Sequence, residues 1–266
     1  MTDSLNQILG DLATHLEHEL DEGARVVPMD RDVVIALTEP VTSTPVVAAP
    51  APAPVAAAPP PEKVAPLPPS DTPGSGGLAE LVSQVAACQK CKLCETRTKT
   101  VPGQGSATPE IMFVGEAPGH DEDQQGLAFV GKAGQLLTKM IEAMGYTREE
   151  IFIGNVLKCR PPNNRTPSPK EMETCLPYLR EQIRILQPKV IISLGATALK
   201  GLVDVDGGIT RLRGKWLSFE GIDLMPTYHP AYLLRSPEFK KDTWEDLQMV
   251  LRHLGREIPE VKKRGE

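Results

Sequence analysis

The fold is decided by the stretch Ile111-Met112-Phe113-Val114-Gly115, in which four consecutive apolar residues end at a glycine. A continuous apolar run of this length is typical of a strand that is buried on both faces of a sheet. Runs of the same kind occur at residues 151–156, 190–194 and 224–228. We therefore predict four strands of one sheet.

Helical patterns separate these strands. Apolar residues recur every three to four positions from Ala133 to Met144, and Gly145 is a good stop signal. Ser168-Pro169-Lys170-Glu171 combines a capping box with proline at the first helical position, which predicts a helix start. A last helix is predicted over residues 243–254. Strands that alternate with helices predict a three-layer α/β/α fold with a mostly parallel central sheet.

The residues before this domain have a different composition. Twelve of the 26 prolines lie between Pro40 and Pro73, in a segment made mostly of Ala, Val and Pro. Such a segment buries too little apolar surface to offset its ordering entropy. We predict a short amphipathic helix and acidic arm over residues 1–36, a disordered Pro/Ala-rich linker over 37–77, one folded domain over 78–256 and a charged tail over 257–266.

The apolar residues of the first segment have helical spacing. They are Leu5, Ile8, Leu9, Leu12, Leu16 and Leu20. This helix either docks on its own domain, pairs weakly with itself or binds a partner protein.

The net charge of −6 is unevenly distributed. Residues 1–76 carry 3 basic and 11 acidic residues, so the rest of the chain, with 26 basic and 24 acidic residues, has a charge of +2. A near-neutral domain can bind DNA if its basic residues share one face. The sequence has no signal peptide and no apolar run of about 20 residues, so we expect a soluble, cytoplasmic monomer without a membrane partner.

Polar residues of three kinds follow the predicted strands. Glu116 comes directly after the first strand, Asn155 lies near the end of the second, and His229 follows the fourth. Ligands bind beyond the carboxyl ends of parallel strands, so these residues are predicted to line one site. The alternative is that they are three unrelated loop residues.

The five cysteines suggest a second site. Cys88 and Cys91 form a C-x-x-C pair, whereas Cys159 and Cys175 lie far downstream. Two thiols from a tight turn and two from elsewhere suit a zinc ion or an iron–sulfur cluster, and the spacing does not choose between them. Cys94 forms another C-x-x-C pair with Cys91 and complicates the choice of ligands.

From about Cys88 to Leu254 the chain resembles the family 4 uracil-DNA glycosylases of the uracil-DNA glycosylase superfamily. The resemblance rests on five motifs in chain order: Cys88-x-x-Cys91-x-Leu93-x-x-x-Arg97, Gly115-Glu-Ala-Pro-Gly119, Phe129-Val-Gly-Lys-Ala-Gly134, Asn155-Val-Leu-Lys-Cys159-Arg-Pro-Pro-Asn-Asn-Arg165 and His229-Pro-Ala-Tyr-Leu-Leu-Arg235.

The resemblance implies a DNA repair enzyme whose partner is uracil-containing DNA, single- or double-stranded. It would flip uracil out of the DNA and hydrolyse the N-glycosidic bond, leaving an abasic site. It also implies a [4Fe–4S] cluster on Cys88, Cys91, Cys159 and Cys175 that acts as a structural clasp, with Cys94 spare. The alternatives are a glycosylase that also removes other deaminated bases and a non-catalytic iron–sulfur module that binds DNA or senses redox state.

The resemblance also implies roles for individual residues. Phe129 would stack on the flipped base, Asn155 would read its edge, and His229 would stabilise the leaving anion. Ala117 occupies the slot of the aspartate that orients water in the best-known branch of the superfamily, so Glu116 is the nearest carboxylate for this step.

Other residues are expected around the base and along the DNA. Gly115, Gly119 and Glu122 would belong to the substrate pocket, with Glu122 or the segment at Gly119 rejecting the methyl group of thymine. The residues expected to contact DNA are Lys132, Arg165, Tyr232, Leu233 and Arg235, and apolar side chains of the last motif could fill the gap left by the flipped base.

We predict that a chain beginning at Leu78 releases uracil from DNA as fast as the full chain. The reason is that the composition of residues 1–77 is unsuited to a packed site. Single-turnover release by the two chains provides the measurement. A loss of more than about tenfold, or ~1.4 kcal/mol, would show that the arm takes part in the reaction.

Overall fold

The computed structural model describes residues 75–203 and 205–259. The helix and arm predicted over 1–36, nearly all of the linker and most of the charged tail lie outside this range. Residues 75–77, which were predicted to end the disordered linker, instead form the first turn of a helix that runs to Ala86. Within the described part, no helix is long and apolar enough to cross a membrane.

Six strands form one sheet. They are β1 (Gln104–Gly105), β2 (Ile111–Gly115), β3 (Phe152–Asn155), β4 (Val190–Leu194), β5 (Leu217–Phe219) and β6 (Ile222–Thr227). The order across the sheet is β1-β3-β2-β4-β6-β5, and the four central strands are parallel. The four predicted strands are therefore confirmed, with ends that shift by one or two residues, and the structure places them at the centre of the sheet.

The two edge strands were not predicted. Both β1 and β5 pair antiparallel with their neighbours. They contain only two and three residues, some of them polar or glycine, so they leave no hydrophobic period in the sequence. Pairing with a central strand is what makes them extended.

Eight α-helices lie in the described range. They are α1 (Ser75–Ala86), α2 (His120–Gln125), α3 (Lys132–Ala143), α4 (Pro169–Leu186), α5 (Ala196–Leu202), α6 (Ile209–Leu212), α7 (Pro230–Arg235) and α8 (Lys240–His253). The predicted capping box is present, because the Ser168 hydroxyl accepts from the Glu171 N–H and the Glu171 side chain accepts from the Ser168 N–H. The helices α1, α2, α5, α6 and α7 were not predicted.

Alternate residues of the central strands face opposite sides of the sheet. On one side Met112 and Val114 pack with buried residues of α1, α4 and α5. On the other side Ile111 and Phe113 pack with α3 and α8. Helices thus cover both faces, which confirms the three-layer α/β/α architecture and explains why the central strands are apolar at every position.

Candidate active site

The carboxyl ends of β2 and β3 meet at one point of the sheet. Gly115 is the partner of Asn155 in the parallel register, and the Val156 N–H continues the pairing by donating to the Gly115 carbonyl at 2.9 Å. The Asn155 side chain is 1% exposed, and its Oδ1 atom has no hydrogen-bond partner among the described residues. A buried polar atom without a partner costs about 1–3 kcal/mol. Asn155 is therefore preorganised to accept a hydrogen bond from a ligand.

Phe129 forms one wall beside this amide. Its side chain is 7% exposed, and its ring lies 5.7 Å from the His229 ring, measured between centroids. A Cβ atom on residue 115 would lie 2.5 Å from Phe129 Cζ and would also overlap the Asn155 amide oxygen. Gly115 thus leaves room that any side chain would fill, and it allows the aromatic ring and the amide to approach each other.

His229 faces the same space with a defined protonation state. It precedes α7 as its N-cap, and its Nδ1 atom accepts a hydrogen bond from the Ala231 N–H at 3.0 Å. Burial lowers the pKa of His229 to about 4, and the positive charge of Arg235 acts in the same direction. The ring is therefore neutral at pH 7 with its proton on Nε2, because Nδ1 is an acceptor. It offers one hydrogen-bond donor.

The other residues predicted for this pocket are Glu116, Gly119 and Glu122, and their surroundings differ. Glu116 is half-buried, and its backbone carbonyl accepts from the Leu157 N–H at 3.0 Å. Gly119 is the N-cap residue of α2. The Glu122 Oε1 atom accepts from the backbone N–H groups of Val130 at 2.8 Å and Gly131 at 3.0 Å. Glu122 thus binds the protein backbone.

All five cysteines line a second recess. Arg97 Nη1 donates to the Cys159 sulfur at 3.1 Å, and the Lys158 N–H donates to the Cys175 sulfur at 3.3 Å. Burial raises the pKa of Cys159 to about 11 and also raises the pKa of Cys175. The structure thus brings together the four thiols that the motifs implied, and it places Cys94 in the same recess.

Comparisons with known proteins decide the family. Residues 102–248 match the Uracil DNA glycosylase superfamily. The chain belongs to this superfamily, among its type-4 members. It is 47% identical to a type-4 uracil-DNA glycosylase of Sulfurisphaera tokodaii (65% of this chain, 83% of the relative) and 47% identical to one of Thermotoga maritima (64% and 92%). A third, from Archaeoglobus fulgidus, is 42% identical (68% and 96%).

The residues that sequence analysis assigned to DNA contacts in this glycosylase fold differ in their surroundings. Lys132 and Arg235 are exposed, on the helices α3 and α7, which pack against each other. Arg165 is exposed but forms a two-bond ion pair with Glu171, at 2.7 and 2.9 Å. Its guanidinium therefore already has a partner within the protein.

The assignment of Leu233 needs correction. Leu233 is 1% exposed and belongs to the interior, whereas its neighbour Leu234 is 44% exposed. Tyr232 is half-buried, with its ring 5.2 Å from that of Tyr228 and 5.4 Å from that of Phe239. Successive residues of α7 point in directions about 100° apart around the helix axis, and the sequence could not assign them because all three have apolar surfaces. Leu234 replaces Leu233 as the apolar side chain at the surface.

Sequence analysis missed Lys158, which connects the two sites. It is 2% exposed, and its Nζ atom donates to the Asn155 carbonyl at 2.7 Å and to Gln182 Oε1 at 2.6 Å. Burial lowers the pKa of Lys158 to about 8. The only sequence signal is a lysine directly after the apolar residues Val156 and Leu157.

We predict that the imidazole of His229 titrates near pH 4, because burial disfavours its charged form. Proton NMR of the histidine rings measures this, and loss of one resonance in His229→Gln identifies the signal. An unfolded histidine binds its proton at about pH 6.5. The unfolded chain therefore takes up this proton first as pH falls, and His229 lowers stability progressively from about pH 6.5 to 4. A midpoint near 6.5 in the folded protein contradicts the prediction.

Proposed function

We propose that this chain is a uracil-DNA glycosylase that releases free uracil from DNA and leaves an abasic site. The observation that carries the proposal is the buried, unpartnered Oδ1 atom of Asn155 beside the rings of Phe129 and His229. Uracil is a flat, neutral base with both donors and acceptors on its edge. The Phe129 ring matches its flat face, and the Asn155 amide and the His229 ring supply hydrogen-bonding groups for its edge. The type-4 names of the relatives support the same activity.

Asn155 selects uracil by its hydrogen-bond pattern. Its Oδ1 atom accepts from uracil N3–H, and its amide N–H donates to uracil O4. Cytosine presents the opposite pattern at these positions and leaves polar groups unpaired at about 1–3 kcal/mol each. Phe129 stacks on the face of the base once the nucleotide has been extruded from the helix.

His229 stabilises the leaving group. Cleavage of the glycosidic bond places positive charge on the sugar and negative charge on uracil O2. The Nε2–H of the neutral ring donates to this oxygen as the charge develops, and such a preorganised donor contributes about 3 kcal/mol. Glu116, which follows β2 at the same edge of the sheet, is the carboxylate we assign to the attacking water because Ala117 has no polar side chain.

The DNA-facing surface combines charge with an apolar wedge. Lys132 and Arg235 contact phosphates, and Leu234 fills the space that the extruded base leaves in the duplex. Single-stranded substrate needs no wedge. We therefore expect Leu234 to matter more for duplex than for single strands.

The direct test is incubation with a uracil-containing oligonucleotide followed by alkali. Strand cleavage at the uracil position supports the proposal. Binding of the oligonucleotide without release of base would instead favour a non-catalytic iron–sulfur module and would overturn the proposal. A panel of duplexes with other deaminated bases separates a uracil-specific enzyme from a relaxed one.

We predict that His229→Ala lowers the single-turnover rate of uracil release by roughly 10²–10³, with little change in DNA affinity, because the hydrogen bond forms fully only in the transition state. His253→Ala is the matched control, since His253 lies near the end of α8 and pairs with Asp223. Release rates and equilibrium binding to the same duplex are measured together. If binding weakens as much as release slows, His229 is a DNA contact and the catalytic role fails.

We further propose that the recess lined by cysteines holds a [4Fe–4S] cluster on Cys88, Cys91, Cys159 and Cys175. The donor set fits, because four thiols from three separate segments surround one space. Cys159 and Cys175 are buried, and a bound cation would favour the thiolate forms that coordinate iron. Within the described range, no group of three or more His, Cys, Asp or Glu side chains is arranged to hold a single metal ion.

The cluster serves this chain as a clasp. Its ligands join the segment after α1, the segment after β3, and α4. Arg97 and the Lys158 N–H donate hydrogen bonds to two of the sulfurs, an arrangement that stabilises their negative charge when they bind iron.

We predict that the protein is yellow-brown with broad absorbance near ~400 nm, and that Cys175→Ser removes this absorbance. Cys94→Ser is the matched control and keeps it, since Cys94 is the spare thiol. Absorbance and iron content after anaerobic purification are measured for the three proteins. A colourless protein with stoichiometric zinc, or loss of colour in Cys94→Ser, contradicts the ligand set.

A further inference from the structure

Phe129 has a backbone conformation that its own residue type does not favour. Its φ angle is 53°, in the left-handed region where a residue with a Cβ atom is strained. The Phe129 carbonyl packs so tightly against the start of α3 that a Cβ atom on Gly134 would overlap it. Contacts from other segments of the chain must therefore hold residues 128–131, which we name the Phe129 loop.

Arg148 supplies the contact on the N-terminal side of Phe129. It lies between α3 and β3, outside all five motifs. Its Nη2 atom donates to the carbonyl of Ala128 at 2.8 Å, and its Nη1 atom donates to the Thr138 hydroxyl on α3 at 3.0 Å. Ala128 is fully buried, so this hydrogen bond satisfies a carbonyl on a residue that water does not reach.

Glu122 supplies the contact on the other side. Its carboxylate accepts from the Val130 and Gly131 N–H groups, which directly follow Phe129. A guanidinium and a carboxylate from two different segments thus bind the peptide groups on either side of one residue. Hydrogen bonds to charged groups are stronger than those between neutral groups, and together these bonds can offset the strain at Phe129.

We propose that Arg148 is a positioning residue that, together with Glu122, holds the Phe129 loop so that the aromatic ring is already in place to stack on uracil. The inference rests on the proposed function. It assigns to Glu122 a role through the backbone, in addition to any contact with the thymine methyl group. It also assigns a role in base recognition to an arginine that no motif includes.

A double-mutant cycle separates this role from general stabilisation. Arg148→Met removes the donors but keeps much of the side-chain stem, and we expect single-turnover uracil release to fall about tenfold. If Arg148 acts through the aromatic ring, the same change made in Phe129→Leu lowers the rate by less than about twofold further, because coupled residues are not additive. A further tenfold loss in the Phe129→Leu protein overturns the proposal.

Three controls test the contact itself. Thr138→Val breaks the other hydrogen bond of Arg148 but leaves the Ala128 contact, and Arg252→Met repeats the substitution at an exposed arginine of α8. Both are expected to release uracil within about twofold of the wild-type rate. Arg148→Lys, which retains a donor, is expected to recover part of the loss. A tenfold loss in Thr138→Val equal to that of Arg148→Met would reduce Arg148 to a support of α3 and overturn the proposal.

If Arg148→Met does not fold, substitutions of Glu122 test the proposal instead. Glu122→Gln keeps an acceptor for the Val130 and Gly131 N–H groups and is expected to be faster than Glu122→Met. The loss in Glu122→Met is expected to shrink in the Phe129→Leu protein in the same way. Wild-type protein that releases no uracil refutes the proposed function, whereas active wild-type protein with additive losses refutes only the positioning role.

Discussion

The parallel pairing of β2 with β3 is the constraint on which the rest of the site depends. It places Gly115 directly beside Asn155 and ends both strands at the same level. Because residue 115 has no side chain, the Phe129 ring occupies the space next to the buried amide. A shift of this register by one residue would turn Asn155 to the opposite face of the sheet, so hydrogen bonding within the sheet determines which atoms can face a base.

Three charged side chains near the pocket form hydrogen bonds with the backbone of the protein itself. Glu122 and Arg148 bind peptide groups of the Phe129 loop, and the Lys158 ammonium binds the carbonyl of Asn155. Apart from Glu116, which we propose acts on the attacking water, the groups proposed to face the base are the neutral amide of Asn155 and the neutral ring of His229. In the proposed reaction, such a site favours a neutral base in the ground state, and its hydrogen-bond donor strengthens its interaction only as the leaving group becomes an anion.

The cysteine recess and the base pocket are joined over a short stretch of chain. Asn155 ends β3, Lys158 follows three residues later, and Cys159 comes next. The backbone of Lys158 contacts the Cys175 sulfur while its side chain contacts Asn155 and Gln182. The cluster that we propose at the cysteines would therefore fix the segment that carries Asn155. This arrangement gives a physical reason for the proposed structural cluster beside a reaction that needs no redox chemistry.

The sequence by itself determined the four central strands, the capped helix α4 and the residue types of the site, because continuous apolar runs and capping residues are local signals. The motifs also determined the family. Only the tertiary structure decided that Leu234 is exposed while Leu233 is buried, since that depends on how α7 is rotated against the core. It also decided the protonation of His229 and the contacts of Lys158 and Arg148, because each depends on burial and on partners that other segments bring near. Such contacts leave no local pattern in the chain.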